Sequence, residues 1–187
     1  VDDYAMGILL RGDAGTSSIT GGAVSLVGIS NNASNASGVS MVNSTVTAAT
    51  NLTVSGTTTQ ATSSALMMDA TSTLTAGGTT NISGNAKVVL GNVDSTGALS
   101  ISTTSGSVSQ VAGTTVLADS TTSVTVQNAD VTLNNTGNDM GGLISVSNAA
   151  NLTLRSTLLK LGSIATSGVQ TYNSPVQLMS NPTFDGH

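Results

Sequence analysis

The chain contains no cysteine and no tryptophan, and it has very few aromatic residues of any kind. Aromatic residues make up 2% of its 187 positions, with one Phe and two Tyr. Because large aromatic side chains fill wide cores, their scarcity predicts a narrow interior packed with Val, Leu, Ile and Ala. The absence of cysteine excludes disulfides and thiolate-ligated metals.

Charge is also scarce, and this excludes several classes of function. Charged residues make up 7% of the chain, with four basic residues against nine Asp and a net charge of −5. Since nucleic-acid surfaces need clustered Lys and Arg, no nucleic-acid partner is expected. The apolar run AVSLVGI at 23–29 is far shorter than the roughly 20 residues of a membrane helix. No membrane insertion is therefore expected.

Short segments that alternate apolar and small polar residues recur along the whole chain. Examples are VSLV at 24–27, NLTV at 51–54, SVTV at 123–126 and NLTL at 151–154. Alternation with a period of two is typical of a β-strand with one buried face. Abundant Thr, Val and Ile favour the same extended structure. The pattern therefore predicts an all-β chain.

The spacing of these segments predicts a solenoid. Leu52, Leu74, Leu99, Val124 and Leu152 follow one another at intervals of roughly 22–28 residues, and self-similarity at this period is typical of stacked repeats. We expect a single all-β domain over residues 1–187, a right-handed parallel β-helix of about seven coils, each as long as these intervals. The right hand follows from the known bias of parallel β-crossovers. Residues 1–22 are expected to form an N-terminal coil or cap and residues 179–187 a tail.

Three segments resemble the repeats of a known protein family. VTAATNLTV at 46–54, VSNAANLTL at 146–154 and IATSGVQTYNSPVQL at 164–178 are similar to repeat regions of filamentous haemagglutinin-like bacterial surface adhesins, over about residues 23–184. In that family the QTYN phrase separates successive blocks of strands. The resemblance implies a right-handed β-helix, secretion to the bacterial cell surface, and a role in adhesion or in extracellular fibres.

One short motif is a candidate partner-binding site. Arg11, Gly12 and Asp13 form an RGD tripeptide, which on a turn presents a guanidinium and a carboxylate to an integrin. The alternative is that these residues are turn charges at a corner of a coil, next to the strand GILL.

Two other patterns suggest sites, and each has a structural alternative. Seven Asn-x-Ser/Thr sequons could accept glycans, or their asparagines could form ladders in solvated turns; they begin at Asn32, Asn35, Asn43, Asn51, Asn81, Asn134 and Asn151. The segment NNTGNDMGG at 134–142 resembles a calcium loop, but Asp139 is its single carboxylate, whereas calcium takes six to eight oxygens. A loop insertion within the longest interval, from Val124 to Leu152, is the expected structure there.

Enzymatic activity is not expected, and neither is a cofactor or a metal. The nine Asp are scattered, with only Asp2 and Asp3 adjacent, and His187 is the single imidazole. General acid–base catalysis therefore has little to work with.

The sequence predicts a structural or adhesive extracellular β-solenoid. It is either a segment of a large surface adhesin, packed against neighbouring repeats, or a subunit that stacks end to end with copies of itself. A host surface or glycan is a further expected partner. The alternative is an ice-binding solenoid with Thr ladders, because T-x-T patterns occur at 45–47 and within 71–75. Coils of unequal length are expected to interrupt such a ladder.

Overall fold

The structure is a computed structural model that describes residues 6–31, 36–60, 62–179 and 182–186. Asp2, Asp3, Asn32, Asn35 and His187 lie outside the described residues. The described part is all β, and no helix in it is long and apolar enough to cross a membrane. Its 21 strands are β1 (Ile8–Arg11), β2 (Ser17–Gly21), β3 (Val24–Ser30), β4 (Val39–Val42), β5 (Ser44–Ala48), β6 (Leu52–Thr58), β7 (Ser64–Met68), β8 (Thr73–Ala76), β9 (Thr80–Gly84), β10 (Lys87–Leu90), β11 (Asn92–Ser95), β12 (Leu99–Thr103), β13 (Val108–Gln110), β14 (Val116–Ala118), β15 (Thr122–Leu133), β16 (Asp139–Met140), β17 (Leu143–Leu154), β18 (Leu159–Thr166), β19 (Gln170–Tyr172), β20 (Val176–Leu178) and β21 (Phe184–Gly186).

Every one of these strands pairs in parallel with a strand one coil away, which produces three ladders along the molecule. The first face runs β1-β4-β7-β10-β13, then through the second halves of β15 and β17 to β19. The second face runs β2-β5-β8-β11-β14-β16. The third face runs β3-β6-β9-β12, then through the first halves of β15 and β17 to β18, which also carries β20 and β21. Six coils with a strand on each of the three faces result, followed by a seventh whose described residues include no second-face strand and by a partial eighth, so the predicted parallel β-helix is confirmed.

The coils at the end of the chain are shorter than those at the start, and coil lengths span a wider range than predicted. Near the start, the side chain of Asn43 binds the carbonyl group of Gly12 in the coil before it, 31 residues earlier. Near the end, the backbone N–H of Val169 binds Asn151 in the coil before it, 18 residues earlier. The predicted range was too narrow because the five residues used to measure it do not form one column.

Those five residues belong to three different faces. Leu52 lies opposite Thr80 on the third face, whereas Leu74 lies opposite Val46 on the second face. Leu152 lies opposite Val131 on the first face. Alternation shows which residues point inward, but it does not show which face they belong to. The predicted repeat period therefore combined distances from one face to another with distances between equivalent positions of successive coils.

The interior is a thin column of aliphatic side chains. Inward positions of successive strands stack directly on one another, as in Val54, Ile82 and Ile101, which are at most 1% exposed. Among the described residues, the fully buried core contains no aromatic side chain, in agreement with the composition. Methionines Met41, Met68 and Met140 are also buried in it.

Glycine allows one close approach of the backbone inside the coil. Gly56 sits on the third face between Gly28 and Gly84. A Cβ atom at Gly56 would collide with the carbonyl group of Ala65. The chain can therefore turn tightly from the third face of one coil to the first face of the next.

At each end of the core column, the terminal strands pair with a neighbouring coil on one side only. Strands β1 and β2 of the first coil lie within the stretch 1–22. Strand β21, within the stretch 179–187, pairs with β18.

The prediction that the QTYN phrase separates blocks of strands is wrong for this chain, because Gln170–Tyr172 is itself strand β19 and pairs with β17.

Candidate functional site

The RGD tripeptide lies at an exposed corner between β1 and β2. Arg11 is the last residue of β1, and its Nε forms an ion pair with Asp13 Oδ1 at 2.5 Å. The two side chains are 59% and 73% exposed. They are accessible, but the guanidinium and the carboxylate bind each other. A partner that needs both groups would first have to separate them.

Asn43, from the next coil, determines the conformation of this corner. Its Nδ2 donates to the carbonyl oxygens of Gly12 at 3.0 Å and Gly15 at 3.2 Å. A Cβ atom at Gly12 would collide with the Gly15 carbonyl oxygen. The glycine of the motif is therefore also required by the fold.

Asp69 forms the corresponding corner one coil further along. Its carboxylate accepts hydrogen bonds from Ser72 Oγ at 2.6 Å, Thr71 Oγ1 at 2.9 Å and the backbone N–H of Asn43 at 3.0 Å. Burial acts to raise its pKa, but these hydrogen bonds outweigh burial and hold the pKa of Asp69 below its ordinary value. The carboxylate is therefore a structural link between two coils.

The segment 134–142 is a corner that is hydrogen-bonded to the coil before it, and the predicted loop insertion is wrong. Asp139 lies opposite Leu117, and the turns that precede both strands have equal length. Asn138 is fully buried: its Oδ1 accepts from the backbone N–H of Val116 at 2.8 Å. It also forms two hydrogen bonds with the side chain of Gln110.

No cluster of three or more His, Cys, Asp or Glu side chains occurs in the described part of the chain. Asp139 instead accepts a hydrogen bond from Thr157 Oγ1 at 2.5 Å. Amide side chains, and not a group of carboxylates, therefore stabilise this corner.

Most of the described sequon asparagines hold neighbouring coils together. Asn51 Oδ1 accepts from the backbone N–H of Thr79 at 3.1 Å, and Asn151 Oδ1 accepts from that of Val169 at 3.0 Å. Asn134 and Asn43 are also hydrogen-bonded through their side chains. Asn81 differs, because it points outward from a flat strand. These contacts favour the prediction of turn ladders over that of glycan acceptors.

The third face carries two columns of outward side chains, most of them hydroxyl-bearing. One column contains Ser25, Thr53, Asn81, Ser100, Ser123 and Ser145, and the other contains Val27, Ser55, Ser83, Ser102, Thr125 and Ser147. The pairing over these rows has no bulge. None of these side chains donates or accepts a hydrogen bond within the described protein, and none is charged. We call this surface the hydroxyl face.

The T-x-T patterns stack on the second face over three strands. Ser18, Thr45 and Thr73 form one column, and Thr20, Thr47 and Thr75 form the other. In the fourth strand Asn92 and Asp94 take these positions. The array therefore ends because of residue type. Unequal coil length was expected to interrupt this array. The differences in length instead lie in the corners and leave the strand register unchanged.

Tyr172 and Gln170 occupy inward positions of the last coil on the first face. They lie opposite the buried Leu154 and Leu152. Tyr172 donates its hydroxyl hydrogen to Gln170 Oε1 at 2.8 Å. Burial raises the pKa of the Tyr172 phenol. Two polar-tipped side chains thus cover the end of this core column.

Comparison with known proteins gives one similarity. A family model described as Repeats of unknown function (DUF5649) matches residues 77–147. This stretch contains three consecutive coils of similar length, since Thr80, Leu99, Thr122 and Ile144 follow one another on the third face. No curated protein and no solved structure matches the chain significantly. The similarity covers less than half of the chain and agrees with a repeated coil.

The hydroxyl face could have been found in the sequence from pairs of hydroxyl residues two positions apart. Ser100 and Ser102, Ser123 and Thr125, and Ser145 and Ser147 each flank one buried residue. The buried corner amide of Asn138 carries no such signal, because an asparagine between glycine and aspartate is typical of any exposed turn.

Proposed function

We propose that this chain is a non-enzymatic structural segment of a β-helical rod at a bacterial cell surface, with further coils covering its ends. The observation that supports this most directly is the exposure of core-position side chains at the C-terminal end. Val176 and Leu178 lie opposite Leu159 and Leu161, which are at most 1% exposed. Yet Val176 is 41% and Leu178 59% exposed.

Phe184 repeats this pattern. It lies opposite Ile164, which is 1% exposed, and is itself 41% exposed. At the other end, Ile8 and Leu10 are only partly buried, although Val39 and Met41 opposite them are fully buried. A further coil on either end would bury these side chains, with a gain of about 25 cal/mol per Å² of apolar surface.

The shortening of the coils distinguishes two kinds of covering coil. The contact between Asn43 and Gly12 spans 31 residues in the long coils at the start. The contact between Val169 and Asn151 spans 18 residues in the short coils at the end. Head-to-tail stacking of identical chains would therefore leave part of the longer coil unpaired. We favour flanking coils of matching length over an end-to-end filament of this chain alone.

The cell-surface location and the adhesive role rest on the resemblance of the repeats to haemagglutinin-like adhesins. The sparsely charged composition is compatible with that role. A rod of seven coils would extend about 34 Å at roughly 4.8 Å per coil.

Negative-stain electron microscopy of the purified chain over a concentration series tests this proposal. We expect short rods that pair at most in twos through the apolar C-terminal end and that do not lengthen further as the concentration rises. A variant with Val176→Lys and Leu178→Lys removes that pairing, whereas Ser102→Lys on the hydroxyl face is the matched control and leaves it unchanged. Long uniform filaments would instead identify a self-assembling subunit.

A second candidate function is ice binding, favoured by the T-x-T array on the second face. Its two columns of three hydroxyl residues are regular in both directions and uncharged. Thermal hysteresis and inhibition of ice recrystallisation test it, with Thr47→Lys as the disrupting variant and Ser102→Lys as the control. Absence of both effects in the unmodified chain would exclude this function.

A further inference from the structure

A polar cleft lies at the corner between the third and first faces, over the last coils. Its volume is about 540 Å³, compared with about 420 Å³ for a second cleft near Gln60 and Asn85. Its polar lining consists of Gln127, Asn128, Asn148, Thr166, Ser167 and Asp185. Volumes of about 300–1,000 Å³ are typical of small-molecule sites.

Two backbone bends bring the amide side chains of this cleft together. Asn128 and Asn148 have positive φ angles of 50° and 58°, a conformation that asparagine tolerates better than most residues. Each bend divides a long strand, β15 or β17, into its two halves. Because Ala129 lies opposite Ala149, the two bends are stacked in consecutive coils. The side chains of Gln127 and Asn128 in one coil and of Asn148 in the next therefore line the same wall of the cleft.

These exposed amides differ from three corner amides that link coils, Asn51, Asn138 and Asn151, in having unused hydrogen-bonding groups. Asn51, Asn138 and Asn151 each accept a backbone N–H from another coil. By contrast, Asn148 and Gln127 make no side-chain hydrogen bond within the described protein. Asn128 accepts one, from Ser167 Oγ at 3.1 Å, and its amide N–H groups have no partner among the described residues. The cleft thus presents both donors and acceptors outward.

The chemistry of the lining excludes most classes of ligand. Its described residues include no Lys or Arg, so an anion would find no counter-charge. Among them Asp185 is the one carboxylate, whereas calcium sites use several. The apolar lining is limited to Ala149 and Ala165 in the same set of residues, which offer little surface to a hydrophobic ligand. A ligand rich in neutral hydroxyl groups is what remains.

We propose that this cleft binds a neutral saccharide of one or two sugar units. The amides of Gln127, Asn128 and Asn148 each donate to one sugar hydroxyl and accept from another. The affinity is weak, with a dissociation constant on the order of millimolar, because the cleft is open and its described lining has no aromatic platform. The proposed sugar site does not depend on the proposed structural role, because sugar binding to the isolated chain can be measured whether or not the chain is part of a longer rod.

Saturation-transfer NMR and calorimetry with lactose, maltose, cellobiose and chitobiose test the proposal. We expect at least one of these sugars to bind the unmodified chain. Asn148→Gly keeps the positive φ accessible and removes the amide, and Gln127→Ala removes the second amide. Each variant is expected to weaken binding about tenfold, with an unchanged melting temperature. Gln60→Ala, which removes an exposed amide from the second cleft, is the matched control and leaves binding unchanged.

Three results would overturn the proposal. The first is that none of the four sugars binds at a concentration of about 10 mM. The second is that Asn148→Gly and Gln127→Ala fold normally and bind as the unmodified chain does. The third is that a sulfated oligosaccharide or calcium binds at this cleft more tightly than any neutral sugar.

Discussion

The corners and the flat faces of this solenoid are built from the same residue types, but they use them differently. At the corners, Ser72, Thr79 and Asn138 hydrogen-bond to neighbouring coils of the protein. On the hydroxyl face, Ser102 and Thr125 have no such partner among the described residues. Composition alone therefore does not show which polar residues hold the fold. Position relative to the turn decides it.

The largest expected effect of a corner substitution is at Asn138. Asn138→Ala leaves the buried N–H of Val116 and the amide of Gln110 without their partner. Because each buried unsatisfied group costs about 1–3 kcal/mol, we expect a loss of about 3 kcal/mol in the free energy of unfolding, measured by urea denaturation.

Asn81→Ala on the hydroxyl face is the matched control, with an expected change of less than about 0.5 kcal/mol. Equal losses for the two asparagines would show that the distinction between corners and faces is wrong.

A smaller effect, dependent on pH, is expected at the Asp69 corner. The pKa of Asp69 is lowered in the folded state, so its contribution to stability is complete above its unfolded pKa of about 3.9. The contribution is lost as pH falls through the lower folded value. Asp69→Asn should therefore melt at a lower temperature than the unmodified chain at pH 7, and the difference should shrink below about pH 4.

Asp94→Asn, at an exposed position of the second face whose carboxylate has no hydrogen-bond or ion-pair partner in the described protein, is the control for this pH dependence. A difference between Asp69→Asn and the unmodified chain that persists unchanged down to about pH 2 would contradict the assigned role of the carboxylate.

An increase in stability is expected inside the core. The Thr122 hydroxyl is buried without a hydrogen-bond partner in the described structure, between Leu99 and Ile144. Thr122→Val keeps the shape and removes the unsatisfied group, so we expect a gain of about 1 kcal/mol in the free energy of unfolding. Thr103→Val is the control, because Thr103 Oγ1 donates to the carbonyl oxygen of Gly106 at 2.7 Å. A loss at Thr122 equal to that at Thr103 would contradict this account.

The smallest effect is expected on the hydroxyl face. Ser102→Ala removes an outward hydroxyl that makes no hydrogen bond to the described protein, so stability should change by less than about 0.5 kcal/mol. Thermal melting followed by circular dichroism checks this. A loss of more than about 1 kcal/mol would mean that the hydroxyl columns support the fold.

Much of the fold could be predicted from the sequence because alternation specifies the inward positions. The prediction of stacked parallel coils came from NLTV at 51–54 and its relative at 151–154, yet these two segments lie on different faces. They share only a local role, in which Asn51 and Asn151 each bind the backbone N–H of the next coil. All three faces use the same residues, so the sequence does not distinguish them.

The candidate sites were harder to predict, since they depend on stacking between coils. Asn128 and Asn148 are one coil apart in the sequence and become neighbours because their bends stack in consecutive coils. The mutual contact of Arg11 and Asp13 likewise depends on a turn shaped by Asn43. Local pattern indicates a turn at each place but not what lies above or below it.

The shortening of the coils also has a mechanical consequence. If the rod is pulled along its axis and coils detach one at a time, each detached coil adds its own contour length to the tether. At about 3.4 Å per residue, a coil of 28 residues, as between Gly22 and Thr50, adds about 95 Å. At the same rise, a coil of 18 residues, as between Asn151 and Val169, adds about 60 Å. A force–extension trace would therefore show unequal steps, and their order would report the end from which the molecule unravels.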